Sequence, residues 1–249
     1  MVQDRHRAIL SVLRRKPKWA MDALRGEVAV SRSTLRRDLM ELENLGKVIR
    51  VRGHVLCAGQ ATGEPGYDTR RSLNLQAKRC VGESAAGLVP AGASVYVDAG
   101  TTCMEAGRKL MARGDVQIFT NSLRLLQRAV AVGAPVICVG GTLRPVSEAL
   151  VGGLASPWLA HLRFDWCVLG ASGLDASGAS TTDLIEAEFK QIVVSRSHHV
   201  VVAADASKWG APSTVCFATW EQTGYWVTDS RPAGISRRAM KSAKVVVAK

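Results

Sequence analysis

The sequence has no cysteine pair that would predict a metal site or a compact disulfide framework. Its six cysteines form no CxxC motif and are far apart, at positions 57, 80, 103, 138, 167 and 216. This spacing argues against a zinc site and against a small disulfide-rich fold. We expect reduced thiols, mostly buried as small apolar side chains, and neither a bound metal nor a cofactor.

Long apolar runs and several catalytic motifs are also missing. No stretch approaches the roughly 18 uninterrupted apolar residues of a membrane span, and the N-terminal segment has no signal-peptide pattern. We therefore expect a cytoplasmic protein with no membrane partner. The chain contains no Walker sequence, no dinucleotide-binding GxGxxG and no GxSxG elbow. His198 and His199 have no acidic residue nearby in the sequence, which favours a structural or surface role over metal binding.

Positive charge is concentrated at one end of the chain. The 249 residues are 47% hydrophobic, which is ordinary for a globular protein, and their formal net charge is +12. Residues 1–56 carry 13 Lys and Arg against 6 Asp and Glu, a net charge of +7, while residues 57–249 carry 20 against 15. A small, strongly basic end on a milder body favours a polyanion as the partner of that end.

The basic end has the pattern of a helix-turn-helix. The apolar spacing predicts a first helix over 4–15, which Pro17 ends because its ring cannot continue the helical hydrogen bonds. A second short helix over 21–28 and a tight turn over 29–31 lead into a third helix. These elements predict a helix-turn-helix over about 20–39.

The third helix, over 31–45, has one apolar face and one face suited to DNA. Leu35, Leu39 and Leu42 recur at helical spacing, and Ser31 supplies a hydroxyl to the free N–H groups of the first turn. The opposite face offers hydroxyl and guanidinium groups, which can enter a major groove and contact bases or phosphates. A solvated amphipathic surface helix is the alternative interpretation of this pattern taken alone.

A small basic hairpin, or wing, is predicted after this helix. Gly46 ends the helix, residues 47–52 alternate, and apolar residues return at 55–56. A wing beside a recognition helix can touch the DNA backbone or the minor groove. The candidate DNA-binding residues are Ser31, Arg32, Ser33, Thr34, Arg36, Arg37, Lys47, Arg50 and Arg52.

A linker over 58–72 is predicted to separate a DNA-binding domain over 1–57 from a second domain over 73–249. The linker begins with a stretch rich in Gly, Ala and Pro, and a helical segment over 68–88 follows it. Beyond it, short apolar runs alternate with helix-like stretches, which predicts an α/β domain with a mostly parallel, Rossmann-like sheet covered on both faces. The predicted strands are 93–97, 116–119, 136–139, 166–169, 200–203, 225–227 and 245–247, and the predicted helices between them include 104–113, 123–132 and 184–195.

Small and polar residues follow several of the predicted strands, where ligands bind in parallel sheets. Gly100, Thr101 and Thr102 lie between a strand and a helix start, a combination that binds phosphate well. Together these turns predict a polar ligand with a phosphate and several hydroxyls. The candidate ligand-binding residues are Asp98, Gly100, Thr101, Thr102, Asn121, Ser122, Gly140, Gly141, Arg144, Thr182, Glu186, Lys190, Asp205 and Lys208.

Three residues of this region have ordinary alternative interpretations. Glu186 and Lys190 are four residues apart on a predicted helix, a spacing that is also typical of a surface ion pair. Cys103 lies at a helix start, where the helix dipole could lower its pKa, but buried packing is the preferred interpretation.

Both regions resemble the DeoR family of bacterial transcriptional regulators. In the N-terminal region the resemblance rests on VSRSTLRRDLMELENLG at 30–46, while the wing turn at 52–54 departs from the family's usual His-Gly-Gly type. In the C-terminal region it rests on DAGTT at 98–102, TNS at 120–122, GGTLRP at 140–145, TTDLIEAEFK at 181–190 and ADASK at 204–208. The resemblance implies a winged helix-turn-helix followed by a sensor domain similar in fold to ribose-5-phosphate isomerase.

The resemblance also implies a function. It implies a repressor of carbohydrate-metabolism genes that binds operator DNA as a dimer or tetramer and responds to a phosphorylated sugar or a related metabolite. In this sequence Asp98, Gly100, Thr101 and Thr102 would then hold the phosphate, and Arg144 would close on an anion. The rest of the pocket would be lined by Asn121, Thr182, Glu186, Lys190 and Lys208.

Two alternatives stay open, although we expect no enzyme. One is a sugar-phosphate isomerase with a DNA-binding head, in which Glu186 or Asp98 is a general base and Lys190 or Lys208 its electrostatic partner. The other is an architectural DNA binder that no small molecule regulates.

Overall fold

The computed structural model describes residues 2–13, 15, 19–44, 48–51, 54–57, 64–232, 235, 240 and 243–248. It divides the chain into two compact units, Met1–Gly66 and Tyr67–Lys249. The predicted linker lies partly outside the described residues, and its last six residues, 67–72, are helical. The predicted domain boundaries at 57 and 73 therefore stay a prediction.

The described residues of the N-terminal unit form three helices and a small antiparallel sheet. In chain order these elements are α1 (Val2–Leu13), β1 (Trp19–Ala20), α2 (Met21–Val28), α3 (Arg32–Asn44), β2 (Val48–Val51) and β3 (His54–Cys57). The sheet has the order β1-β3-β2, so the predicted wing hairpin is present and gains a short strand ahead of α2. Pro17, Gly46 and the wing turn at 52–53 lie outside the described residues.

The predicted apolar stripe of α3 is the centre of this unit. Leu35, Leu39 and Leu42 are fully buried and pack in one cluster with Ile9 and Leu13 of α1 and with side chains of α2 and the sheet. Three residues, 29–31, connect α2 to α3, and the first of them, Ala29, adopts a left-handed conformation with φ +54°. This packing turns the opposite face of α3 to solvent.

One charged side chain lies on the buried stripe of α3. Asp38 is 1% exposed and accepts hydrogen bonds from the guanidinium group of Arg5 on α1, including one of 2.8 Å from Nη2 to Oδ1. His6 Nε2 lies 3.5 Å from the same carboxylate. The hydrogen bonds from Arg5 lower the pKa of Asp38. The pair therefore fixes α1 against α3.

The C-terminal unit alternates strands and helices as the sequence predicts. In chain order its elements are α4 (Tyr67–Ser72), α5 (Leu75–Leu88), β4 (Ser94–Val97), α6 (Thr101–Arg113), β5 (Gln117–Thr120), α7 (Leu123–Val132), β6 (Val136–Cys138), β7 (Thr142–Arg144), β8 (Ala149–Val151), α8 (Ser156–His161), β9 (Phe164–Leu169), β10 (Gly173–Leu174), β11 (Gly178–Thr181), α9 (Leu184–Ser195), β12 (Ser197–Ala203), β13 (Val215–Thr219), β14 (Tyr225–Thr228) and β15 (Lys244–Val247). The helical segment predicted over 68–88 is two helices, because Asn74 adopts a left-handed conformation between them.

All seven predicted strands join one parallel sheet, which confirms the predicted Rossmann-like fold. The strand order is β15-β14-β12-β9-β4-β5-β6, and every neighbouring pair is parallel. The order changes direction between β4 and β9, since the chain first adds strands on one side of β4 and then continues on the other. Such a switch point opens a crevice at the carboxyl ends of the two strands.

The sheet is covered on both faces. Buried side chains of α5, α6 and α7 pack on one face, and those of α8, α9 and a small antiparallel sheet of order β10-β11-β13 pack on the other. The antiparallel sheet and the β7–β8 hairpin are additions that the sequence reading did not predict. No helix among the described residues is both long and apolar enough to cross a membrane.

The expectation that most cysteines are buried is wrong, because only two of the five cysteines whose burial is described are buried. Cys103 and Cys167 are buried, but Cys138 and Cys216 are exposed and Cys80 is half-buried. Cys138 ends β6, which is the last strand in the order of the parallel sheet.

We expect the substitution Asp38→Asn to destabilise the N-terminal unit at neutral pH, because Arg5 loses a charged acceptor. The pKa of Asp38 is lowered in the folded state, so its stabilising effect is present above the usual 3.8 of an aspartate and is lost as the pH falls through the folded-state value. Hydrogen exchange of α1 and α3 in the full chain should be faster in the variant at pH 7, and the difference should disappear in strong acid. Glu41→Gln, on the exposed flank of the same helix, is the control. Equal protection in both variants would contradict the role of the pair.

Candidate functional site

The switch point of the sheet holds a buried ion pair. Asp98 follows β4, and Lys190 extends from α9 so that its Nζ lies 2.8 Å from Asp98 Oδ2. The same ammonium group donates to the backbone oxygen of Gly170, just after β9, at 2.7 Å. The backbone N–H of Gly170 in turn donates to Asp98 Oδ2 at 3.0 Å. The pair therefore joins the ends of β4 and β9 at the point where the strand order changes direction.

The ammonium group of Lys190 stays charged although it is buried. Its side chain is 10% exposed, and Nζ lies 4.9 Å from the centre of the Phe217 ring, a distance suited to a cation–π contact. Burial lowers the pKa of Lys190, but the carboxylates of Asp98 and Glu186 more than offset this effect and raise the pKa above its ordinary value. The site thus presents a fixed positive charge beside two carboxylates.

A second ion pair extends the cluster toward the β7–β8 hairpin. Arg144 Nη1 donates to Glu186 Oε1 and to Ser147 Oγ, each at 3.1 Å. Arg144 Nε lies 3.4 Å from Asp183 Oδ2, and Thr181 Oγ1 donates to Glu186 Oε2 at 3.1 Å. Glu186 and Lys190 are both buried, and each has its principal partner on another element rather than on α9. The alternative of a surface ion pair between them is therefore wrong.

We call Asp98, Arg144, Asp183, Glu186 and Lys190 the charged cluster. Asn121 lies beside Asp98 at the carboxyl ends of β4 and β5. Val97 and Thr120 are register partners in these two strands, and Asp98 and Asn121 directly follow them. Asn121 is 2% exposed, and its side-chain oxygen has no hydrogen-bond partner within the described part of the chain. A buried acceptor without a partner has a cost that a donor group on a ligand would remove.

Tyr96 is a residue of this region that the sequence reading missed. It lies two positions before Asp98 on β4, is fully buried, and its hydroxyl has no hydrogen-bond partner among the described residues. Burial is the main cause that raises its pKa, and the carboxylates of Asp98 and Glu186 add to the effect. A tyrosine within an apolar strand gives no sequence signal that distinguishes it from an ordinary core residue.

The predicted phosphate loop begins α6. Gly100 is the N-cap residue and has no side chain to accept from the first-turn N–H groups, whereas Ser122 caps α7 and Asp183 caps α9. Thr101 and Thr102 are buried in the first turn of α6. Cys103 follows them, and burial raises the pKa of its thiol well above the ordinary value, so a dipole-activated thiolate is excluded here.

Several predicted ligand-binding residues have structural roles in the folded chain. Ser122 Oγ accepts from the N–H of Leu125, and Asp205 caps the short 3-10 turn Ala206–Lys208. Gly141 has φ +122°, and an added Cβ would lie 2.8 Å from the backbone of Val151, so the entry into the β7–β8 hairpin requires glycine. Gly140 shares this turn, and Thr182 directly precedes the cap residue of α9.

Lys78 is a second residue that the sequence reading missed. It is 6% exposed on α5 and donates to the backbone oxygens of Leu73, at 2.7 Å, and Arg70. Burial lowers its pKa to about 8; nearby Asp205 opposes this shift, and Lys208 adds to it. A lysine on the buried stripe of an amphipathic helix is the signal that could have identified it, since Val81, Gly82 and Ala85 share that face.

The exposed face of α3 carries the predicted DNA-binding residues of the recognition helix. Ser31, Arg32, Ser33, Arg36 and Arg37 are exposed, and Thr34 is half-buried. The guanidinium groups thus lie opposite the buried leucine stripe, as predicted.

Ser31 also has a structural role, because its hydroxyl accepts from the N–H of Thr34 at 3.1 Å and caps α3. In the wing, the backbone of Arg50 lies in β2, while Lys47 and Arg52 lie outside the described residues. Among the described residues no three His, Cys, Asp or Glu side chains are grouped as a metal site would require.

Comparison with protein families matches the two units separately. Residues 5–60 match the DeoR-like helix-turn-helix domain, and residues 73–230 match the DeoR C-terminal sensor domain.

Known relatives match over almost the whole chain. The HTH-type transcriptional regulator GlpR of Haloferax volcanii is 34% identical over 98% of this chain and 96% of its own length. The glycerol-3-phosphate regulon repressor of Escherichia coli is 26% identical over 92% of this chain and 91% of its own length. Among solved structures, ribose 5-phosphate isomerase A of Methanocaldococcus jannaschii aligns with 55% of each chain, at a TM-score of 0.41 and 19% identity.

We expect Lys190→Met to destabilise the C-terminal unit by about 3–5 kcal/mol, because Asp98 is left as an unpaired buried charge. The measurement is urea denaturation of the full chain at pH 7. Lys109→Met, an exposed lysine on α6, should change stability little. Adding Asp98→Asn to Lys190→Met should recover part of the loss, since the unpaired charge is removed. A loss no greater than that of Lys109→Met would contradict the geometry of the pair.

Proposed function

The chain belongs to the DeoR family of helix-turn-helix transcriptional regulators, and we propose that it is a repressor of sugar-metabolism genes whose DNA binding is modulated by a phosphorylated sugar. In this proposal the N-terminal unit binds operator DNA, and the charged cluster with its surroundings binds the effector. The observation that best supports effector binding is the charged cluster at the switch point of the sheet, where α/β proteins bind their ligands.

The exposed face of α3 supports the DNA-binding half. A helix whose buried face is fixed by three leucines and by the Arg5–Asp38 pair can present Arg36 and Arg37 to a major groove with little loss of entropy. Arg32, Ser33 and Thr34 at the start of the helix would contact the DNA backbone, where the positive end of the helix dipole also favours phosphate. Lys47, Arg50 and Arg52 of the wing would add attraction to neighbouring phosphates.

The chemistry of the pocket supports a ligand with both a phosphate and hydroxyl groups. The uncapped N-terminus of α6 offers N–H groups and the hydroxyls of Thr101 and Thr102 to an anion. Asn121 and Tyr96 offer buried polar atoms that lack partners, and carboxylates of the charged cluster accept from sugar hydroxyls. Lys208 lies close enough to Lys78 to lower its pKa, and the two lysines together would add positive charge for the phosphate.

The name of one relative is consistent with a phosphorylated ligand. The regulator from Escherichia coli is named for glycerol 3-phosphate, a small phosphorylated polyol. For regulation to follow, the effector must bind two arrangements of the protein with unequal affinity, and it shifts their ratio by no more than that difference. Arg144 is a candidate for the side chain whose contacts differ between the two arrangements. An anionic ligand would compete with Glu186 and Asp183 for its guanidinium group.

We expect Arg37→Ala to weaken operator binding by about 1–3 kcal/mol and to relax the choice of base at one position, because a bidentate contact to guanine is lost. The measurement is fluorescence anisotropy with DNA selected by the protein from a random-sequence pool. Arg7→Ala, an exposed arginine on α1, is the matched control. Equal weakening on selected and random DNA would show that Arg37 contacts phosphate only.

We expect a phosphorylated polyol or sugar to raise the melting temperature of the full chain, while its unphosphorylated counterpart does not. At a ligand concentration of 100 times its dissociation constant the gain is about 2.7 kcal/mol. Thr101→Val should abolish this shift and leave operator binding intact, while Thr214→Val, on an exposed bend, should change neither. A panel of glycerol 3-phosphate and pentose and hexose phosphates is the probe.

The same panel tests the two alternatives. Interconversion of an aldose phosphate and a ketose phosphate by the wild-type chain, lost in Glu186→Gln, would favour the isomerase. No shift with any phosphorylated compound, together with tight operator binding, would favour an architectural DNA binder.

A further inference from the structure

Five large apolar side chains are exposed on neighbouring elements of the C-terminal unit. Leu154 is 81% exposed, Trp158 on α8 is 74% exposed and Leu184 at the start of α9 is 72% exposed. Leu143 on β7 and Ile185 on α9 are each about half exposed. We call these five residues the apolar surface.

The elements that carry the apolar surface are in contact with one another. Helix α8 packs against α9, and α9 also packs against β8. Leu143 pairs with Leu150 across the β7–β8 hairpin. A side chain placed at Gly152, between β8 and α8, would lie 3.8 Å from a methyl carbon of Ile185. The exposed side chains therefore belong to one region rather than to scattered positions.

The stretch of chain that carries Leu154 and Trp158 is free of charged residues. Residues 149–160 contain no Asp, Glu, Lys or Arg, whereas the whole chain has a net charge of +12. The centres of protein interfaces lack charged residues and are rich in aromatic ones, and exposed Trp side chains are frequent binding hot spots. A solvated surface helix would instead carry Lys, Glu or Arg at such positions.

We propose that the apolar surface is where a second copy of this chain docks. The exposed parts of the five side chains amount to roughly 600 Å² of apolar area, against about 800 Å² per partner in a standard interface, so the surface can form most of one side of a two-fold interface. In a two-fold dimer the same surface faces itself. Two copies of a basic protein repel each other, and exposed side chains that carry no charge are where that repulsion costs least.

The position of the apolar surface links the second copy to the charged cluster. Leu143 directly precedes Arg144, and Leu184 and Ile185 lie between Asp183 and Glu186. Strand β7 and the first turn of α9 therefore carry both ion-pair residues of the charged cluster and side chains of the apolar surface. On the proposed function, an effector that takes Arg144 from its carboxylate partners would also change the affinity between copies.

Sedimentation velocity of the full chain, without DNA or effector, tests the docking surface directly and independently of the proposed function. The wild type should be a dimer or larger assembly at micromolar concentration. Trp158→Glu and Leu184→Glu should each weaken self-association by at least about tenfold. Val130→Glu is the matched control, because Val130 is an apolar residue on α7, outside the apolar surface, and is 84% exposed.

Three results would overturn the proposal. They are a wild type that stays monomeric, variants that associate as well as the wild type, and a Val130→Glu variant that dissociates as much as Trp158→Glu. If a glutamate variant loses its folded circular-dichroism spectrum, the milder Trp158→Ser and Leu184→Ser are compared with Val130→Ser in the same experiment. Loss of self-association with an intact effector-induced melting shift would support the docking surface and the effector site separately.

Discussion

A buried positive charge at the switch point of the sheet governs the arrangement of the C-terminal unit. Lys190 can be placed there only because Asp98 and the backbone oxygen of Gly170 compensate its charge from the ends of two adjacent strands. Glu186, one turn earlier on α9, then requires a cation of its own, which Arg144 supplies from the β7–β8 hairpin. The position of α9 on the sheet and that of the hairpin beside it both follow from these pairings.

The same principle holds the N-terminal unit together. Asp38 lies on the buried stripe of the recognition helix, and Arg5 reaches it from α1. In both units a charged side chain at a core position of an amphipathic helix finds its partner on another element. A buried pair of this kind contributes orientation more surely than it contributes stability. Fixed orientation is also what the proposed recognition helix and the proposed effector site require.

Periodicity predicted most of the fold, because the apolar spacing of strands and helices is local. All seven strands of the parallel sheet and the leucine stripe of α3 lie where the sequence pattern puts them. The partners of Lys190 and Glu186 could not be predicted, since they depend on which strands become neighbours in the fold. The buried positions of Lys78 and Asp38, in contrast, could be predicted from the sequence, since both lie at helical spacing from the apolar residues of their helices. The β7–β8 hairpin was missed because Gly140, Gly141 and Thr142, at its start, have the pattern of a turn that ends β6.

In the proposed function, one chain couples an anion-binding pocket to a DNA-binding surface. Coupling between two binding sites is reciprocal, so the factor by which the effector changes the operator affinity must equal the factor by which the operator changes the effector affinity. The decisive measurement is a pair of titrations on the wild-type chain at one salt concentration, operator binding with and without a phosphorylated sugar and sugar binding with and without operator. We predict a factor of about 5–150, the same in both titrations. Operator affinity that does not change at saturating concentrations of any phosphorylated sugar would contradict the claim.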